Sequence, residues 1–101
     1  MTATATALQL DAEQTAKLHA LYRHLHAHPE LSMQEFTTAA LIEEQLDALG
    51  IEHFRCGGTG VVGILRNGDG PVVAFRADSD GLPIEEATGL EYASTDTGKL
   101  P

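Results

Sequence analysis

The chain has 101 residues, 43% of them hydrophobic, and 15 acidic side chains against 6 basic ones give it a formal charge of -9. That length holds one modest core rather than two domains. That charge repels phosphate backbones and anionic headgroups, which excludes nucleic acid and membrane surfaces as natural partners. The lone cysteine, Cys56, rules out an internal disulfide, fits a reducing compartment and reads as a structural thiol.

Residues 1–10 are rich in Thr and Ala and are expected to form a flexible lead-in. They lack the basic region and apolar run of a secretory leader, and no stretch approaches the length of a membrane span, so the cytoplasm is the expected location. Asp11 and Gln14 stand at the spacing of a capping box, and Leu18, Leu21, Tyr22 and Leu25 follow on one helical face. Pro29 ends that helix around residues 26–28.

A second helix is expected over residues 33–49. Ser32 and Glu35 have capping-box spacing, Leu31 and Phe36 suit a hydrophobic staple, and Gly50 suits a left-handed C-terminal cap. Ala39, Ile42, Leu46 and Leu49 form its apolar face, while Glu43, Glu44 and Asp47 are expected to face water. Strands should follow over 51–56 and 61–66, with Gly57, Gly58 and Gly60 in a loop between them. Asn67-Gly68-Asp69-Gly70 then offers turn chemistry before an apolar run at 72–77. This predicts a hairpin of 61–66 with a doubly buried strand beginning at Val72. Two helices cannot cover both faces of such a sheet, and the chain ends in loop-like sequence, so it reads as the opening of a larger α/β domain.

The cluster that follows the apolar run carries the strongest chemical signal. In α/β sheets ligands collect where strands end at their carboxyl side. Asp78 and Asp80, two residues apart in extended backbone, place both carboxylates on one side, with Arg76 in the same parity. Such a pair can hold a metal, orient a ligating histidine or serve as acid and base, and it can equally form an Arg/Asp ion pair that steadies a loop. His24 and His28 have the i,i+4 spacing of a zinc chelate, but Pro29 argues against a helix through His28, and an amphipathic polar face explains them as well. The loop at 57–60 lacks the Lys-Ser/Thr of a phosphate-binding loop and opens no helix.

Three phrases in register resemble one family. Leu25-His26-Ala27-His28-Pro29-Glu30-Leu31-Ser32, Gly58-Thr59-Gly60-Val61-Val62 and Arg76-Ala77-Asp78-Ser79-Asp80-Gly81-Leu82-Pro83-Ile84-Glu85-Glu86 are similar to segments of the N-acyl-amino-acid amidohydrolases, which include hippurate hydrolases and indole-acetyl-amino-acid hydrolases. The third phrase is similar to the family's "RADMDALPI-E", with Ser79 in place of Met and Gly81 in place of Ala, changes expected to loosen the site slightly. The resemblance implies an α/β/α metallopeptidase fold, of which residues 11–101 would be the N-terminal, incomplete part of the catalytic domain. It also implies a homodimer when the protein is full length.

The implied activity is cleavage of the amide bond of a small N-acyl amino acid by water activated on a divalent metal pair (zinc, manganese, cobalt or nickel). By the same resemblance Asp80 falls where relatives keep an aspartate that orients a metal ligand. Asp78 falls where more distant relatives have a ligating histidine. These two are the candidate catalytic residues. The "MHACGHD" phrase that carries family ligands has no counterpart before Pro101, so no metal ligand maps onto the chain and it is expected to be inactive alone. The alternative is a degenerate, non-catalytic module that binds a partner.

Overall fold

The computed structural model describes residues 9–96. The lead-in over 1–10 and the last residues of the chain therefore fall largely outside the description. The described elements run α1 (Ala12–Ala27), α2 (Phe36–Ala48), β1 (Glu52–Cys56) and β2 (Gly60–Ile64). None of the helices is long and apolar enough to cross a membrane.

Helix α1 starts as its sequence dictates. The Asp11 carboxylate accepts from the Gln14 N–H at 2.7 Å, and the Gln14 side-chain oxygen accepts from the Asp11 N–H at 3.0 Å. Two of the helix's orphan donors are thereby satisfied reciprocally. The helix ends at Ala27, with His28 as its C-cap just before Pro29.

Helix α2 is where local rules and structure part. It starts at Phe36, and its N-cap Glu35 makes no side-chain cap bond. Residues 32 and 33 instead form a turn closed by Gln34 N–H to the Leu31 carbonyl at 2.9 Å, with Met33 at φ 67°. The capping oxygens come from Glu30. Its carboxylate accepts from the N–H groups of Thr37 (3.1 Å) and Thr38 (2.5 Å) and from the Thr38 hydroxyl (2.6 Å). Glu35, released from capping, accepts from the Thr59 hydroxyl at 3.1 Å, a buried bond that ties the β1–β2 turn to the start of α2. The expected staple is absent too, since Phe36 is 65% exposed.

The far end of α2 follows expectation. Gly50 adopts φ 69°, Ile51 N–H reaches back to the Leu46 carbonyl, and Gly50 N–H to the Asp47 carbonyl. This is the paired bonding of a Schellman cap, which only a residue at ease in the left-handed region completes cheaply.

The strands pair antiparallel from Glu52↔Ile64 to Cys56↔Gly60, closed by residues 57–59. A Cβ on Gly60 would lie 2.5 Å from the Cys56 carbonyl oxygen, so the hairpin mouth requires glycine there. Helix α2 packs on both strands, and Glu43 and Asp47 turn toward β1 rather than to water alone, while Glu44 is exposed as expected. Arg55 bonds Glu43 at 2.7 Å, and His53 bonds Asp47 at 2.6 Å. Cys56, at the end of β1, is exposed and so is not a packed structural thiol.

The expected strand at 72–77 does not form. Val72, Val73 and Phe75 are 96%, 90% and 95% exposed, and the segment belongs to no strand. The hairpin is β1 with β2 rather than 61–66 with 72–77, because the short glycine turn closes locally while the longer Asn-Gly-Asp-Gly connection has no covered face to close onto. Among the described residues Ala39 is the only buried hydrophobic side chain. The radius of gyration, 16.6 Å, exceeds the ~13 Å of a compact domain of this length. The elements are those of an α/β layer whose apolar side stands open.

Candidate active-site cleft

The segment after the exposed run folds back onto the helix junction. Gly81 N–H donates to the Glu30 carbonyl at 2.6 Å, and Leu31 and Gly81 form a parallel bridge. A Cβ on Gly81 would meet the Pro29 ring at 2.6 Å. The glycine at position 81 thus lets the carboxylate-bearing segment sit tightly against the His-Pro-Glu turn.

Asp78 and Asp80 line a cleft of about 810 Å³ with Tyr22, His26, Ile42 and Glu86. The two carboxylates therefore do share one concavity, although both are exposed. Arg76 pairs with Asp78 at 2.6 Å, which realises the ion-pair reading for that residue. Because both partners are largely in water, the pair contributes about 0–1 kcal/mol. Among the described residues no group of three or more His, Cys, Asp or Glu side chains could hold a metal ion. The donor set of a metal pair is thus not met by these residues.

The best-built polar contact in the cleft is one that sequence reasoning did not single out. Glu86 accepts from His26 Nε2 at 2.9 and 3.0 Å and from the Ser94 N–H at 2.9 Å, and the Thr88 hydroxyl also donates to it. The His26 bond first, then Ser94 and Thr88, hold the Glu86 pKa down at about 2 against the opposing pull of desolvation. His26 stacks on Tyr22 (6.0 Å between centroids) and meets the Tyr92 edge at 5.3 Å, and the Arg23 guanidinium lies 5.2 Å over the Tyr92 ring. This knot fixes residues 86–94 to α1 and builds one wall of the cleft. His26 and Glu86 are 60 residues apart, so no local spacing reveals their pairing, although both lie inside the family-like phrases.

A second, smaller cleft of about 360 Å³ adjoins the end of α1, lined by His24, His28, Glu30, Thr38 and Asp96. The His24 and His28 rings lie 4.6 Å apart there although the helix has ended. Partial burial on its own would raise the Glu30 pKa, but the bonds from Thr38 and Thr37 outweigh it and hold the carboxyl below its ordinary value.

No family model matches the chain. It is 48% identical over 84 residues to N-acetyl-L-cysteine deacetylase of Bacillus subtilis, covering 81% of this chain and 20% of that protein. It is 40% identical over 79 residues to IAA-amino acid hydrolase ILR1-like 2 of Arabidopsis thaliana, covering 77% of this chain and 18% of that protein. Its fold matches the crystal structure of the Bacillus subtilis YXEP protein, a dinuclear metal-binding peptidase of the M20 family. That match has TM-score 0.75 and 44% identity over 82% of this chain and 24% of that one. Two helices followed by an antiparallel pair, with carboxylates on the segment beyond, are thus a piece of an M20-type α/β domain. Over most of its own length the chain is thus similar to one part of these hydrolases. It spans about a fifth of the length of the curated relatives it matches.

Proposed function

We propose that the chain is the N-terminal part of the catalytic domain of a metal-dependent amidohydrolase that cleaves the amide bond of small N-acyl amino acids. The observation that carries the reading is the 44% identity at TM-score 0.75 with a dinuclear metal-binding peptidase, together with an open cleft floored by the two carboxylates that the family-like phrase supplies. A small amino-acid amide as substrate is supported by the names of two relatives, an N-acetyl-L-cysteine deacetylase and an IAA-amino acid hydrolase.

In this reading the described residues supply the cleft wall, not the metal's donor set. Asp80 is the positioning carboxylate: exposed in the cleft, it is available to accept from the free ring N–H of a ligating histidine and so set that ligand's tautomer and angle. Asp78 is held by Arg76 and tunes the charge beside it. The His26–Glu86 knot keeps the segment that carries them in place. Activity at cytoplasmic conditions and a homodimeric full-length protein belong to the same proposal.

The test is release of free amino acid from N-acetyl and indole-acetyl amino acids by the full-length gene product, with zinc, manganese, cobalt and nickel each supplied. Hydrolysis that a chelator stops supports the reading. No hydrolysis with any of the four ions overturns it and leaves a non-catalytic module in its place.

A further inference from the structure

We infer that His24 and His28 form a two-imidazole chelate for a single divalent transition-metal ion at the C-terminal end of α1. The inference is independent of the hydrolase reading; His24 lines only the smaller cleft, and His28 stands between that cleft and the carboxylate cleft, lining both. The sequence argued against such a site, because a helix cannot run through His28 into Pro29. The structure removes that objection. Helix α1 does end at Ala27, yet the His28 ring still lies over His24, with centroids 4.6 Å apart and planes tilted by 32°.

The ring of His28 is also oriented for ligation. Its Nδ1 contacts the His24 backbone carbonyl at 2.8 Å. A carbonyl only accepts, so Nδ1 carries the hydrogen, and in the neutral ring Nε2 is left with its lone pair. A histidine that donates one ring N–H to a backbone carbonyl and presents the other nitrogen is the usual arrangement of a metal-ligating imidazole. Both side chains are exposed, so rotation of the His24 ring toward the His28 Nε2 does not require opening the fold. Glu30 and Asp96 line the same cleft, and the chain's charge of -9 raises the local cation concentration. Two imidazoles favour zinc, nickel or copper over magnesium or calcium. With only two protein ligands, water completes the coordination and the ion exchanges readily.

The experiment is a titration of the full-length gene product, already loaded with its own metal, with zinc chloride. It is read from the imidazole 15N signals of the histidines in residues 9–96 and by calorimetry. Early, joint shifts of the His24 and His28 ring nitrogens, ahead of those of His26 and His53, are expected. H24A should weaken that binding event by about tenfold or more, while H26A and H53A leave it in place. His24 contributes only its backbone carbonyl to the helix end, so H24A keeps the fold, and circular dichroism checks that it does. Zinc that leaves the His24 and His28 signals unmoved, or affinity unchanged in H24A, overturns the chelate.

Discussion

Replacing Glu30 with alanine removes the cap of a helix to which Glu30 does not belong. Three donors converge on its carboxylate: the N–H groups of Thr37 and Thr38 and the Thr38 hydroxyl. Thr37 and Thr38 are the second and third residues of α2, whose own N-cap supplies no side-chain bond. Loss of a cap costs about 0.5–2 kcal/mol, and loss of a negative charge at a helix N-terminus about 0.3–1 kcal/mol more. Partial exposure lets water replace some of this, so Glu30→Ala should destabilise the chain by about 1–2 kcal/mol, and Glu30→Gln by roughly half as much. With a urea slope near the low end of about 1–3 kcal/mol/M, the midpoint for the alanine variant moves down by about 1 M.

The effect has a definite pH window. The folded pKa of Glu30 lies below its ordinary value of 4.5. The stabilisation is therefore complete above about 4.5 and is lost as pH falls through the depressed folded value. Urea melts followed by circular dichroism at neutral and acid pH read both parts. A midpoint for Glu30→Ala within about 0.2 M of the parent, or a gap that persists at the lowest pH, would refute the assignment of Glu30 as the cap.

Three other outcomes follow from named contacts. Glu86 should titrate near 2, so its hold on residues 86–94 is present above the ordinary carboxyl range and is lost as pH falls through about 2. Carboxyl 13C NMR reads this, and in His26→Ala the Glu86 pKa should move back up; a pKa unchanged by that substitution would contradict the knot. Met33→Gly should stabilise by up to about 1 kcal/mol, because an L-residue at φ 67° carries about 1–2 kcal/mol of strain, offset by about 0.5–1 kcal/mol of glycine entropy; a lower melting temperature would count against the strain. Val72→Asp with Phe75→Glu should change the stability of this chain by less than about 0.5 kcal/mol, since both side chains are over 90% exposed; a large loss in the urea midpoint would show that the segment is packed after all.

How much of this was legible in the sequence depends on how far apart the partners lie. The α1 cap and the Gly50 terminus were readable because Asp11–Gln14 and Leu46–Ile51 bond within a few residues. The α2 start was misread for the same reason: Ser32 and Glu35 satisfy the local pattern, but Glu30 competes for the same donors and wins with two carboxylate oxygens. The apolar run at 72–77 showed its composition and not its environment, because burial is a property of what covers a strand, and the described elements do not cover this one. Asp78 and Asp80 were found by parity, and the structure does bring them to one cleft. The His26–Glu86 pairing was not singled out, since it exists only once the chain folds back at Gly81.

The most direct test of the account is the turnover of N-acetyl amino acids by the full-length gene product carrying Asp80→Asn, beside Asp78→Asn and the parent protein. If Asp80 orients a metal ligand, its amide replacement should lower kcat by about 10–100-fold with metal supplied in excess, and Asp78→Asn should cost far less. Parental kcat in Asp80→Asn would contradict the role given to the carboxylate cleft.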